Sequence, residues 1–472
     1  MIKKVLIANR GEIAVRIVRA CAELGIRSVA VYTDADRHSL HIKKADEAYS
    51  LGPDTVSGYL NAHRIVNLAA ATGCNALHPG YGFLSENPLL AQICAKRGII
   101  FIGPSARVIR SMGNKIEARK SMISAGIPVI PGSEANIKDI TEALDIAKQI
   151  GYPIMLKATA GGGGRGIRRC ESEAELPGNY ERVISEASKA FGSTDIFIEK
   201  CIDNPRHIEV QILADRHGHT IHMFERDCSI QRRHQKLIEI APSPQLNDQQ
   251  RELIGTLAVK AAKAVNYENA GTVEFLLDEQ DNFYFMEMNT RLQVEHTITE
   301  QITGVDIVQE QIRIASGEPL SFKQEEIQRR GIAMQFRINA EDPKNDFLPS
   351  FGRITRYFAP GGPGVRTDSA IYTGYEIPPH YDSMCAKLIV WALDWDTLLN
   401  RSRRALNDII VHGVKTTIPY HLEILKSEEF RNATFDTSFV ETHPELSQYS
   451  VRRSSRHVAA AIGAAIAAHM GN

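Results

Sequence analysis

Cysteine is scarce, and its spacing says what the chain is not. Seven cysteines are spread over 472 residues and none forms a CxxC pair, which argues against a zinc ribbon or a disulfide framework. Charge of one sign is also missing. Fifty-five Lys and Arg balance 56 Asp and Glu, for a formal net charge of −1, so no bulk field favours nucleic acid or an anionic membrane. No apolar run reaches the roughly 18 residues a membrane span needs. MIKKVLIANRGEIA passes straight into a strand-like run without a leader, so a reducing cytoplasm is the expected setting. The glycine pattern GxGxxG is absent, and so is the GK[ST] of a Walker loop. What remains is ordinary globular composition, 43% hydrophobic and 24% charged, in a chain long enough for two to four domains.

Alternation of strand and helix patterns opens the chain. VLIA at 5–8, a helical spacing from Gly11 to Leu24 and SVAVY at 28–32 make a β-α-β unit, the start of a parallel sheet. ALHPG, NPLLAQICAKRG and IIFIGPS continue the pattern, with HPGYGFLSEN as a βα loop. Beyond Pro104 a helix-turn-helix carries Lys115, and PIMLKA predicts a strand ending near Lys157. TAGGGGRGIRR follows at once. Four successive glycines cannot pack a core, but they let backbone N–H groups close around phosphate oxygens. PRHIEVQILAD alternates, with His207, Glu209 and Gln211 on one face. The charge-dense run 224–242 reads as a loop bringing cations to an anionic substrate, and 297–316 as one long helix. From 331 onward, turn-rich β segments and an amphipathic helix read as a smaller α+β region. An Ala-rich helix ends the chain.

GTVEFLLDEQDNFYFMEMNTRLQVEH (271–296) concentrates the chemistry. It predicts a hairpin, and pairing Leu277 with Tyr284 would set Glu274 opposite Glu287. Cross-strand carboxylates roughly 5 Å apart repel by about 3 kcal/mol at an effective dielectric near 20. A divalent cation removes that cost, and Mg²⁺ (or Mn²⁺) prefers carboxylates plus nucleotide phosphates. Asn289 offers a third oxygen, and Arg291 and Glu295 follow directly.

Taken together, these segments resemble the biotin carboxylase component of biotin-dependent carboxylases, an ATP-grasp enzyme. The resemblance covers about 1–445. It is carried by IANRGEIA, HPGYGFLSEN, KATAGGGGRG, PRHIEVQ, ERDCSIQRRHQK, EFLL…EMNTRLQVEH and RINAEDP. It implies an α/β and α+β chain: a Rossmann-like pre-ATP-grasp domain (1–112), an ATP-grasp domain (113–330) with a mobile lid at about 131–202, a biotin carboxylase C-terminal domain (331–445) and a tail helix (446–472).

Residue roles follow from the same resemblance. Lys115, Lys157, Gly163, Gly164, His207, Gln231 and His234 would hold ATP and its phosphates, and Glu199, Lys200 and Ile202 would line the adenine pocket. Glu274, Glu287 and Asn289 would carry the metal ions. Lys236, Arg291 and the backbone at Val294 would clamp bicarbonate, with Glu295 as general base. Arg337 would stabilise the biotin enolate, and Tyr81 would lie near the biotin pocket.

Two departures stand out. Ala160 replaces a glycine of the family's loop. Pro363 replaces an aromatic used at the dimer contact of the acetyl-CoA carboxylase component, while Arg19, Glu23 and Arg366 remain. Met-Lys-Met, the setting of a biotinyl lysine, is absent, and there is no room for a carboxyltransferase. Biotin would therefore be a substrate carried by a carboxyltransferase partner, and the chain a homodimer within a hetero-oligomer. Within the family the chain looks most like the biotin carboxylase subunit of two-subunit pyruvate (or other 2-oxoacid) carboxylases. An acyl-CoA carboxylase component or another ATP-grasp ligase is the alternative.

Overall fold

A computed structural model describes residues 1–159, 166–450 and 455–470. Gly163, Gly164 and Ala160 lie outside the described residues. So do the tail arginines Arg452 and Arg453.

The expected β-α-β unit opens the chain. Strands β1 (Lys4–Ile7), β2 (Arg27–Tyr32), β3 (Glu47–Ser50), β4 (Ala76–His78) and β5 (Ile100–Phe101) form a parallel sheet in the order β3-β2-β1-β4-β5. The helix Gly11–Glu23 buries Ile13, Ile17 and Ala20 against it, the stripe its spacing predicts. A second, three-stranded sheet pairs β6 (Ile154–Ala158) with β7 (Ile167–Cys170) and β8 (Ile196–Lys200). Leu156 and Ile198 of this sheet share a small core with Ala143 and Val183 of the covering helices.

The largest sheet is antiparallel and has eight strands. These are β9 (Arg206–Ala214), β10 (Thr220–Arg232), β11 (Gln235–Ala241), β12 (Asn269–Leu277), β13 (Phe283–Asn289), β14 (Ile332–Asn339), β15 (Val365–Ser369) and β16 (Met384–Ala392). Their order is β13-β12-β9-β10-β11-β14-β16-β15. The α+β region after 331 thus extends the preceding region's sheet through the β11–β14 pairing.

Two expectations change. Residues 224–242 are not a loop but the β10–β11 hairpin, turned at Arg233 and His234 with φ of +49° and +64°. The density of charge suggested a loop, but Glu225, Arg226 and Asp227 are buried within the paired strand. The predicted helix 297–316 is two helices, His296–Thr303 and Ile307–Ala315. Gly304 ends the first at φ +73°, and the Asp306 side chain caps the second by accepting from the Gln309 amide. The terminal helix Ser455–His469 is present, with residues 462–470 exposed. Among the described residues no helix is long and apolar enough to cross a membrane.

Candidate active site

Antiparallel pairing builds the site as a row. Glu287 of β13, Glu274 of β12, Glu209 of β9 and Arg226 of β10 stand opposite one another in register across four neighbouring strands. The hairpin reaches this arrangement by a route the sequence did not show. Leu277 pairs with Phe283 rather than Tyr284, and a bulge at Met286 then restores Glu274 opposite Glu287.

Glu274 is buried and saturated with partners. It lies 2.7 Å from His207 Nε2, accepts from Gln293 Nε2 (2.6 Å) and Asn289 Nδ2 (2.8 Å), and meets Lys236 Nζ at 3.1 Å. Burial alone would raise its pKa, but Lys236 and His207 hold it well below the usual carboxylate range. Glu287 behaves oppositely: burial and then the Glu274 charge push it up. Lys115, close enough to Glu287 to feel its charge, is pushed down by burial. A pair of like charges whose proton affinities are driven apart is what a divalent cation relieves, so these residues fit Mg²⁺. Asn289 differs from expectation in orientation. Its amide nitrogen faces Glu274 while its oxygen accepts from Arg291 Nη2 (2.9 Å), so the amide must turn to serve a cation.

Lys236 is the hub of the anion side. Its ammonium touches Glu209 (2.5 Å), Glu295 (2.6 Å) and Glu274 (3.1 Å). Arg337 bridges Glu239 (2.6 Å) and Glu295 (3.1 Å). Burial opposes ionisation of Glu295, yet Lys236, Arg337 and Arg226 together hold its carboxyl below the usual range. Arg291 donates to Glu86 (2.8 Å) from the N-terminal region, and Val294 lies between Arg291 and Glu295 on the same short segment.

The nucleotide side is more spread out. Lys157 Nζ pairs with Glu199 at 2.6 Å, and Lys200 donates to the carbonyls of Tyr152 (2.9 Å) and Gly151 (3.1 Å). Ile202 is half-buried just beyond β8, and Gln231 is buried near the end of β10, whereas His234 stands exposed at the hairpin turn. Tyr81 is half-buried, 5.7 Å from Lys387 Nζ to its ring centroid. Arg366 pairs within the chain, with Glu300 and Asp368 at 2.8 Å each.

The sequence reading assigned no role to Arg226. It is fully buried and donates to Glu209, Gln211, Thr299, Thr272 and Gln293. Glu209, Glu239, Gln293 and Lys387 were missed as well. The alternation in PRHIEVQILAD was the available signal for Glu209, since it put this acid on the face shared with His207.

Comparison with known proteins places the chain in a family. Residues 1–109 match the family model "Biotin carboxylase, N-terminal domain", 114–323 match "Carbamoyl-phosphate synthase L chain, ATP binding domain", and 335–442 match "Biotin carboxylase C-terminal domain". The chain is 54% identical over 471 residues to the 2-oxoglutarate carboxylase small subunit of Hydrogenobacter thermophilus, covering 100% of both. It is 55% identical over 444 residues to a pyruvate carboxylase subunit of Methanothermobacter thermautotrophicus, covering 94% of this chain and 90% of that one. Among solved structures it is similar to the biotin carboxylase domain dimer of the Hydrogenobacter 2-oxoglutarate carboxylase in complex with MgADP, ADP and bicarbonate. There the TM-score is 0.93 and the identity 55%, over 96% of this chain and 100% of that one. On its sequence and its fold, the chain belongs to the biotin carboxylase family.

Proposed function

We propose that the protein carboxylates biotin carried on a separate subunit, using ATP and bicarbonate, as the first half-reaction of a 2-oxoacid carboxylase. The observation that carries this is Glu295 held between Lys236 and Arg337, beside the opposed acids Glu274 and Glu287. Lys236, Arg291 and the Val294 backbone bind bicarbonate, a planar oxyanion suited to a guanidinium fork. Glu295 takes the bicarbonate proton as its oxygen attacks the γ-phosphorus and ADP leaves. The resulting carboxyphosphate breaks down to CO₂ and phosphate. Phosphate removes the biotin N1′ proton, Arg337 stabilises the enolate, and N1′ attacks CO₂.

Lys115, Lys157, His207, His234 and the glycines 163 and 164 hold the nucleotide's phosphates in this reading, with Gln231 also on ATP and Glu199, Lys200 and Ile202 at the adenine. Glu274, Glu287 and a turned Asn289 hold Mg²⁺, which supplies charge neutralisation at the phosphates. Tyr81 lies beside the biotin. Relatives named for 2-oxoglutarate and for pyruvate align at 54% and 55% identity, and others named only biotin carboxylase at 53% and 54%; pyruvate is the first acceptor to test in this reading, with an acyl-CoA as the alternative. A dimer inside a hetero-oligomer with a biotin-bearing carboxyltransferase is the working assembly.

ATP hydrolysis measured with and without bicarbonate, and then with free biotin, tests the activity. Bicarbonate-dependent turnover accelerated by biotin is expected; equal rates with and without bicarbonate refute it.

A further inference from the structure

Lys387 is a lysine with no exposed side-chain surface. It lies in the middle of β16, opposite Arg337 of β14 on one side and Asp368 of β15 on the other. Directly opposed residues of antiparallel strands share a face, so Lys387 and Arg337 reach off the sheet side by side. Their targets are also adjacent. Arg337 Nη2 donates to Glu295 Oε2 at 3.1 Å, and Lys387 Nζ donates to the main-chain carbonyl of Val294, also at 3.1 Å.

The same ammonium lies 3.0 Å from Glu12 Oε2 on the first helix of the N-terminal region. Burial raises the Glu12 pKa, and the Lys387 ammonium opposes that rise, so the two form a buried pair. A buried ammonium is costly unless it is paired and hydrogen-bonded. Here one such group joins three parts of the chain: the first helix, the 290–295 segment and the final strands of the large sheet.

We infer that Lys387 is a positioning residue for the bicarbonate site: by gripping the Val294 carbonyl while Arg337 grips Glu295, it fixes the backbone that clamps the anion and aims the base. The inference rests on the biotin carboxylase reading for its kinetic consequence, though not for its geometry. Lys387 has no place in the set of residues expected to touch ATP, bicarbonate or biotin. Its effect is therefore indirect, through the conformation of residues 294 and 295.

Two variants of the full chain test it: Lys387→Met, and Glu12→Gln combined with Lys387→Met, which removes both members of the buried pair and leaves no carboxylate stranded. In both, KM for bicarbonate in the ATPase assay is expected to rise at least tenfold while KM for ATP stays within twofold. Amide exchange across 292–297 is expected to quicken by a similar factor in the absence of substrates. A folded variant with unchanged bicarbonate KM and unchanged exchange overturns the inference. So does failure of both variants to fold, which would make Lys387 a stability residue. If the unmodified protein shows no bicarbonate-dependent ATPase, the activity reading fails, and the exchange measurement alone decides the role of Lys387.

Discussion

Replacing Glu295 by Gln keeps the shape of the side chain and removes its charge. The structure sets the consequence for folding. Lys236 retains Glu209 at 2.5 Å and Glu274 at 3.1 Å, and Arg337 retains Glu239 at 2.6 Å, so neither cation is stranded. The cost is then nearer that of one hydrogen bond to a charged group, about 1.5–3 kcal/mol, than the roughly 3–5 kcal/mol of an orphaned buried charge. The consequence for catalysis is larger. Loss of a positioned general base lowers kcat by about 10²–10⁴, or about 2.7–5.4 kcal/mol of barrier. KM for ATP should change little, because Glu295 faces the anion side of the site.

The pH dependence of the same variant carries a sign. The folded pKa of Glu295 lies below the unfolded value, so its ionic contribution to stability is present above the unfolded pKa, about 4.3, and is lost as pH falls through the folded pKa. The stability gap between the two proteins should therefore be flat from pH 6 to 8 and narrow only in acid. Steady-state bicarbonate-dependent ATPase and urea denaturation at several pH values make both measurements. Near-normal turnover in the variant would refute the base assignment, and a gap that widens in acid would refute the electrostatic account.

Glu287→Gln should raise the melting temperature of the metal-free protein, because a like charge is removed from beside Glu274, and should abolish the stabilisation that added Mg²⁺ gives; calorimetry with and without Mg²⁺ reads both. Arg226→Met removes the cation from a fully buried set and leaves Glu209 leaning on Lys236 alone, so unfolding free energy should fall by about 3–5 kcal/mol, measured by urea titration; a loss under about 1 kcal/mol would show the network to be dispensable. Because Leu446 and Tyr449 belong to the C-terminal core, the cleaner truncation removes 455–472, where residues 462–469 of the terminal helix are exposed; it should leave biotin-dependent ATPase intact but end co-purification with the biotin-bearing partner. Continued assembly of the truncated chain would count against the tail as a docking element.

Local pattern was enough for much of this protein. Two-residue alternation placed His207, Glu209 and Gln211 on one face, and helical spacing placed Ile13 and Ile17 against the first sheet. Both are properties of a few consecutive residues, which is why sequence carries them. Ordered motifs carried the family and the identity of the candidate site residues. Tertiary structure decided the rest. The 224–242 run read as a cation-bearing loop, yet it is a hairpin buried by pairing on both sides, and only pairing partners reveal that. Met286 is taken up in a bulge whose existence depends on both strands of the hairpin. The grip of Lys236 on three carboxylates joins residues 27 to 59 positions apart. That of Lys387 on Glu12 and Val294 joins segments from both ends of the chain. No spacing rule encodes such contacts. They exist because strand order and helix packing bring distant segments together, and burial then makes each charge depend on its partner for its ionisation.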